Sequence, residues 1–210
     1  MSKYIKSFKT KAEYNTYIAG DHATPYTAYV EEEDKYYYGA KEPDWMEFEF
    51  PANPSGNFSF LNTLKSVVIP SGVTTLPQSA FLNCSNLQSV TIPVGVTSIP
   101  KECFMYCGQL SEVNLPEGLT TINSQGFYYC NSLNTITLPS TITWIGRDLS
   151  WGVKTATILA TTPPTLQDRL SQYQQFNGAD VIYVPASSVE TYKAASGWSN
   201  WAAKIEAIPA

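Results

Sequence analysis

The sequence has few residues with which to build an active site that depends on histidine or on a metal. It contains one histidine, His22, among 210 residues, which excludes a histidine-rich metal site and leaves a Ser or Cys nucleophile one candidate base. Charged residues make up 15% of the chain, against about 25% in typical globular proteins. They form no Lys/Arg cluster of the kind that binds a phosphate backbone, so we expect no nucleic-acid partner.

Long apolar runs and the usual chemical motifs are also missing. No run reaches the roughly 18 apolar residues of a membrane-spanning helix, and residues 1–15 carry basic residues without the apolar segment of a secretion signal. The glycines lie in repeated turns rather than in a phosphate-binding loop or a nucleophile elbow. We therefore predict no transmembrane segment, no secretion signal, no cofactor, no metal and no enzymatic activity.

The sequence does contain an internal repeat with a period of 23 residues. Its first leucine column is Leu64, Leu87, Leu110 and Leu133. Each unit opens with Leu-x-x-Val-x-Ile-Pro or a close variant, whose alternating apolar residues predict a half-buried strand that the proline ends. A second short apolar element and a brief helical turn follow. A Phe column and a Cys column run through three units and become Ser150 and Val153 in the fourth, so the fourth unit is degenerate.

These units are expected to stack, because one unit alone cannot bury its own apolar face. The strand signature returns with altered spacing at residues 45–51, 156–163 and 179–185. We therefore predict a solenoid over residues 45–185, with seven stacked strands.

The two ends of the chain differ from the repeats and are predicted to cap them. Residues 1–44 are rich in tyrosine, with a capping-box pattern that opens a helix at Thr10 and a β-hairpin whose tip is Glu31–Asp34. They are interpreted as an N-terminal cap or a small α+β subdomain. Residues 186–210 combine an amphipathic helical pattern with a tryptophan-bearing tail, as expected of a C-terminal cap. The predicted fold class is α/β, mostly β: a solenoid with 23-residue repeats, short helical turns and a cap at each end.

The repeated unit LxxVxIPxGVTxIxxxAFxxC resembles the BspA-like, or Treponema-type, leucine-rich repeat of bacterial surface proteins over residues 45–155. The tail IYVPASSVETYKAASGW is similar to the ending of many such proteins from gut Bacteroidetes, the group that includes Bacteroides. The resemblance implies a leucine-rich-repeat solenoid that is extracellular or on the cell surface. It also implies a noncatalytic adhesion module that binds a protein or matrix ligand.

An alternative comes from two further features. Parts of residues 1–44 are similar to N-terminal segments of gut-bacterial and phage structural proteins, and the chain lacks the export signal of the surface family. A structural component of a phage-like particle is therefore kept as an alternative, together with a glycan-binding module.

The cysteines are the feature most easily mistaken for chemistry. Three of them share one column of the repeat: Cys84, Cys107 and Cys130. Stacking places them about 5 Å apart, a separation that permits a disulfide. A metal site is the other alternative, although no CxxC pair is present. Because the column faces inward and cysteine is a good small buried residue, a ladder of reduced, buried thiols is the favoured interpretation. Cys103 occupies a small-residue core position.

Two polar features near the N-terminus have simple structural interpretations. His22 stands beside Asp21 and could act as a general base, but a solvated turn residue is the favoured interpretation. The acidic run Glu31–Asp34 lacks the alternating ligands and the glycine of a calcium loop and is interpreted as a charged hairpin tip.

The first candidate binding surface is the set of residues that alternate with the apolar ones on the first strand of each unit. We call it the strand face: Lys65, Ser66, Val68, Gln88, Ser89, Thr91, Ser111, Glu112, Asn114, Asn134, Thr135 and Thr137. Curved solenoids commonly bind partners on such a surface. The alternative is that these are simply solvated strand residues.

The second candidate surface follows the Phe column. We call it the aromatic ridge: Met105, Tyr106, Tyr128, Tyr129 and Trp151. Exposed aromatic side chains of this kind stack on sugars or anchor a protein partner. The alternative is that they pack against the neighbouring turn.

Overall fold

The structure is a computed structural model. Its described residues are 58, 59, 62, 64–69, 71–150, 152–167 and 175–210, together with the four N-terminal strands named in the next paragraph. The predicted helix at Thr10 and the residue His22 lie outside the described residues.

Four strands near the N-terminus form a sheet of their own, in the order β1-β2-β3-β4. They are β1 (Lys6–Phe8), β2 (Tyr26–Val30), β3 (Lys35–Gly39) and β4 (Met46–Glu49). β2 and β3 pair antiparallel, which confirms the predicted hairpin. β4 was expected to be the first strand of the stack, but it pairs antiparallel with β3. The placement of the domain boundaries, including the one at residue 45, stays a prediction.

The first strands of the central repeats form a parallel sheet. It contains β5 (Ser66–Val68), β6 (Ser89–Thr91) and β8 (Glu112–Asn114). Val67 lies beside Val90, and Val90 beside Val113, so each strand meets its neighbour at a spacing of one 23-residue repeat. This in-register parallel stacking confirms the predicted solenoid.

The second apolar element of each unit also forms a parallel sheet, in the order β7-β9-β11-β13. Its strands are short: β7 (Ser98–Ile99), β9 (Thr121–Ile122), β11 (Trp144–Ile145) and β13 (Thr165–Leu166). In each of them the second residue is buried, so this side of the solenoid contributes one apolar side chain per repeat to the core.

The predicted helical turns are successive tight turns in the structure. Each contains residues with positive φ, which fall into two columns at the repeat spacing: Ser79, Glu102, Gln125 and Asp148, then Asn83, Tyr106 and Tyr129. This conformation costs a non-glycine residue about 1–2 kcal/mol. It turns alternate N–H groups toward the next repeat. The N–H groups of Ser79, Phe81 and Asn83 donate to carbonyls of that repeat at 3.1, 2.8 and 2.7 Å. The ladder that results offsets the strain.

The last strands of the chain form a third parallel sheet, in the order β10-β12-β14-β15. They are β10 (Thr135–Leu138), β12 (Thr155–Ile158), β14 (Val181–Val184) and β15 (Ile205–Ala207). The prediction of one continuous seven-stranded stack is therefore wrong. The first strands of the repeats divide into two sheets, β4 pairs with β3 instead of joining either of them, and β15 was not predicted within residues 186–210.

Two columns of side chains fill the centre of the solenoid. Phe81, Phe104 and Phe127 are buried, and their rings stack at centroid distances of 5.2 and 5.3 Å. Phe58, which sequence reasoning did not place in this column, stacks on Phe81 at 5.2 Å. At the other end the buried Ser150 replaces phenylalanine, and its hydroxyl accepts a hydrogen bond from the N–H of Gly152 at 3.2 Å.

The four cysteines are buried and carry free thiols, and the burial confirms their predicted inward position. In the repeated column, each thiol donates to the carbonyl of the Phe in the preceding repeat. Cys84 reaches Phe58 at 3.2 Å, and Cys107 and Cys130 reach their partners at 3.1 Å. Burial raises the pKa of Cys103 and of Cys130. The cysteine ladder therefore satisfies backbone carbonyls inside the core.

The C-terminal segment covers the last repeat with an aromatic cluster. It contains a 3-10 turn (Ala186–Ser188), helix α1 (Val189–Ala194) and a 3-10 helix (Trp198–Lys204) before β15. Tyr192 and Trp198 are fully buried and pack edge to face at 4.9 Å. The Tyr192 hydroxyl donates to the carbonyl of Ala160, and the Trp198 indole to that of Pro164, both at 2.8 Å. These bonds tie the segment to the body of the solenoid.

We predict that the four thiols are unreactive in the folded protein. The thiolate is the reactive form, and burial disfavours it. A thiol titration at pH 8 without reductant should show almost no reaction in the folded state and four reactive groups in denaturant. Fewer than four groups in denaturant would show that a disulfide is present.

We also predict that Gly146→Ala is far more destabilising than Gly72→Ala. A Cβ on Gly146 would lie 2.3 Å from the backbone nitrogen of Ser124, whereas a Cβ on Gly72 would meet no atom within 4 Å. Overpacking of this kind costs about 1–3 kcal/mol of unfolding free energy, while an unhindered surface change costs about 0.5 kcal/mol or less. Chemical denaturation of both variants checks this, and equal stability would contradict the close approach.

Candidate interaction surface

The residues of the strand face lie on β5, β6, β8 and β10 or directly before these strands. On each strand, the residues on either side of the buried Val67, Val90 or Ile136 point away from the core. Eight of the predicted side chains are exposed: Lys65, Gln88, Ser111, Glu112, Asn114, Asn134, Thr135 and Thr137. Ser66, Ser89 and Thr91 are half-buried, and the side chain of Val68 lies outside the described part of the structure.

The strand face is interrupted at its centre, which the sequence did not indicate. The repeat spacing predicts that β10 continues the sheet beside β8, as β8 does beside β6. Among the described residues, however, β8 pairs with β6 and β10 with β12, and no pairing joins β8 to β10. The N–H of Ser111 donates to Gln88 of the preceding repeat at 2.9 Å, but that of Asn134 donates within its own repeat, to Ser132 at 2.9 Å.

The interruption forms a cleft of about 350 Å³. Its walls are residues on or next to β8 and β10, together with one residue that follows β12: Ser111, Glu112, Val113, Asn114, Leu115, Glu117, Thr135, Thr137, Pro139 and Leu159. Five of these are predicted strand-face residues, so the structure brings them together around one concavity. The other five were not predicted as site residues, because the repeat spacing predicts an unbroken sheet, which would have no cleft at this place.

The floor of the cleft is apolar and partly open. Val113 and Leu115 occupy the columns of Val90 and Ile92, which are 1% and 3% exposed, yet both are only half-buried. Leu159, on the β12 side, is 37% exposed. Core positions of the third repeat are therefore accessible at this place.

The rim of the cleft carries negative charge. Glu112 and Glu117 both line it, and its lining includes no Lys, Arg or His. The amide of Asn114 donates to a carboxylate oxygen of Glu112 at 3.3 Å. Glu117 accepts hydrogen bonds from the N–H and the hydroxyl of Ser140 at 3.2 and 2.8 Å. Glu112 is thus held on β8 and Glu117 in the turn that follows it.

Hydrogen bonds close the cleft at both ends. At one end, the N–H and the hydroxyl of Ser132 donate to the carbonyl of Gly108 at 3.2 and 2.9 Å. At the other, the hydroxyl of Thr141 accepts from the N–H of Gly118 at 3.0 Å and donates to the carbonyl of Leu119 at 2.9 Å. The third and fourth repeats therefore stay stacked on either side of a local opening.

The aromatic ridge is a compact group of tyrosines on another side of the solenoid. Tyr106 stacks on Tyr129 at 5.1 Å, and Tyr128 packs edge to face against Tyr129 at 4.5 Å. Tyr106 is 43% exposed, while Met105, Tyr128 and Tyr129 are half-buried. Burial, with the hydrogen-bonded Tyr129 beside it, raises the pKa of Tyr128 to about 12. Trp151 lies outside the described residues.

A buried carboxylate follows the ridge in the next repeat. Asp148 is 2% exposed, has a φ of 52°, and one of its carboxylate oxygens has no hydrogen-bond partner among the described residues. Burial raises the pKa of this carboxyl, opposed by the positive charge of Arg147. Sequence reasoning did not single out Asp148, although it extends the column of Ser79, Glu102 and Gln125.

The described part of the chain shows neither a metal centre nor a membrane span. Within it, no group of three or more His, Cys, Asp or Glu side chains is placed to hold a metal ion. None of its helices has the length and apolar character needed to cross a bilayer.

Comparison with known proteins gives one family and several similar structures. Residues 46–155 match the BspA type leucine rich repeat region, in six copies. No curated protein sequence matches the chain. A leucine rich repeat protein of Treponema pallidum is 24% identical, with a TM-score of 0.49 and an alignment that covers 60% of each chain.

Two further structures are similar over a larger share of this chain. A leucine rich cell surface protein of Faecalibacterium prausnitzii is 21% identical, with a TM-score of 0.48, over 80% of this chain and 50% of that one. The pneumococcal vaccine antigen PcpA is 12% identical, with a TM-score of 0.47, over 86% of this chain and 48% of that one. The alignments thus span about half the length of these two proteins.

Proposed function

Because the chain belongs to the family of BspA type leucine rich repeats, we propose that it is a noncatalytic protein-binding module that acts in adhesion at the surface of a gut bacterium. The observation that carries this proposal is the cleft at the centre of the strand face, where exposed polar side chains surround an accessible apolar floor. Binding sites on proteins combine these two features, since apolar contact supplies free energy and placed polar groups supply specificity.

The rigidity of the strand face supports the same proposal. Eight of its twelve residues lie on paired strands, and the hydroxyls of Ser66 and Ser89 share a hydrogen bond of 2.8 Å across two of them. Side chains that are held in this way lose little conformational entropy when a partner binds. The strand face supplies about half of the 20–30 residues per partner in a standard interface, so a protein or matrix ligand would bind in a small interface.

A glycan-binding function of the aromatic ridge is the second candidate. The exposure of Tyr106 favours it, because an open aromatic face is a stacking surface for a sugar ring. The half-buried state of Tyr128 and Tyr129 and their contact with each other favour a packing role instead. A structural role in a phage-like particle also remains a proposal, and it requires the same kind of protein contact.

We predict that affinity for a protein ligand depends on the strand face and not on the ridge. A ligand is first sought with a panel of host matrix proteins and a glycan array. The variant Glu112→Lys/Asn114→Ala should then weaken binding by about 1–2 kcal/mol per substitution, because both residues line the central cleft. The variant Tyr106→Ala/Tyr129→Ala should bind within about twofold of the wild-type protein.

Titration calorimetry of both variants measures this difference, and their melting temperatures control for loss of fold. Unchanged affinity of the strand-face variant together with loss in the tyrosine variant would reject the strand face and support the ridge. Binding to the glycan array alone would support the glycan-binding function.

A further inference from the structure

We propose that the cleft between β8 and β10 takes up an extended peptide segment of the partner, in which apolar residues alternate with Lys or Arg, as an inserted strand of the sheet. The inference rests on the proposed protein-binding function and specifies how the strand face recognises its ligand.

The backbone of β8 presents hydrogen-bonding groups to the cleft. Successive residues of a strand direct their N–H and C=O groups to opposite neighbours. The carbonyl of Asn114 accepts from the N–H of Ile92 on the β6 side, at 3.0 Å. The N–H and C=O of Val113, one residue earlier, therefore point toward β10, with which β8 makes no pairing in the described part of the chain.

The backbone of β10 presents the complementary groups from the opposite wall. The carbonyl of Asn134 accepts from the N–H groups of Lys154 and Thr155 on the β12 side, at 2.8 and 3.0 Å. By the same alternation, the backbone groups of Thr135 and Thr137 point toward β8. A strand placed between the two walls can pair with both, which is the mode of recognition by β-strand addition.

The size of the cleft sets the length of the segment. β8 comprises three residues, which at about 3.3 Å per residue make an edge roughly 10 Å long. The volume of about 350 Å³ lies at the lower end of the roughly 300–1,000 Å³ found for ligand sites. We therefore expect three residues to be inserted, with one flanking residue on each side.

The side chains of the cleft set the sequence pattern of the segment. Side chains of an inserted strand alternate between the core and the strand face. Those that face the core would cover the half-buried Val113 and Leu115, which favours apolar residues. Those that face outward would lie near Glu112 and Glu117, with no Lys, Arg or His in the lining, which favours a basic residue.

The probe is a set of fluorescent pentapeptides, acetyl-Thr-X-Lys-X-Thr-amide and the same with Arg, in which X is Val, Ile, Leu or Phe. Binding to the full chain is measured by fluorescence anisotropy. Two matched controls use the best binder: one replaces the basic residue by Glu, and one carries N-methyl groups on both X residues. We expect each control to bind at least tenfold more weakly, because the first reverses the charge and the second removes backbone donors.

A variant that locks the cleft shut provides an independent test. Glu112 and Thr135 are one repeat apart, the spacing at which Ser89 and Glu112 are partners across β6 and β8. In Glu112→Cys/Thr135→Cys, a disulfide can form only when the two strands come together, because its Cα atoms must lie within about 7 Å. Peptide binding should be lost when this variant is oxidised and should return with reductant to the level of the single variant Glu112→Cys, which lacks one of the two carboxylates. The single variants Glu112→Cys and Thr135→Cys control for the loss of the carboxylate and of the threonine.

The outcomes separate this proposal from the proposed function. Failure of every peptide to bind, equal binding of the N-methylated peptide, or full binding by the oxidised variant would each overturn strand insertion. If the oxidised variant still binds the protein ligand found with the matrix panel, the strand face stands as the binding surface without insertion. If no protein ligand is found and no peptide binds, the proposed function fails as well.

Discussion

A ladder of backbone hydrogen bonds on the side of the tight turns joins each repeat to the next and holds the other features of the fold in place. The N–H of Phe81 donates to Cys103, that of Phe104 to Gly126 and that of Phe127 to Leu149, at 2.8, 2.8 and 3.1 Å. This ladder fixes the spacing of 23 residues, which in turn stacks the phenyl rings. The same register brings each cysteine thiol to a carbonyl of the preceding repeat.

Whereas this ladder is continuous, the sheet of the strand face is interrupted between β8 and β10. The sheet β7-β9-β11-β13 and the tight turns hold the third and fourth repeats together, so β8 and β10 need not pair to keep the stack intact. The cleft leaves Val113 and Leu115 half-buried, whereas the residues at the same positions in the neighbouring repeats are buried. The fold therefore supplies, at one place, both apolar surface and strand edges for a partner.

Much of the fold could be predicted from the sequence, because each repeat places the same residue type at the same position. The columns of Leu, Val, Phe and Cys are sufficient to predict parallel strands and a shared core. The break at β8 could not be predicted, since Val113 and Asn114 carry the same pattern as the paired strand β6. β15 was missed although Ile205 lies 23 residues after its partner Ile182, because Ile208 stands where the repeat signature has proline and the segment resembles an irregular tail.

Amide hydrogen exchange measured by NMR compares the two sides of β8 in the unliganded protein and so tests whether the edge of β8 that faces β10 is open. The N–H of Val90 lies within the β6–β8 pair, and that of Val113 faces the cleft. We expect the N–H of Val113 to exchange at least 100-fold faster than that of Val90, while those of Phe104 and Phe127 exchange as slowly as that of Val90. Equal protection of Val113 and Val90 would show that β8 and β10 pair in solution and that no open strand edge faces the cleft.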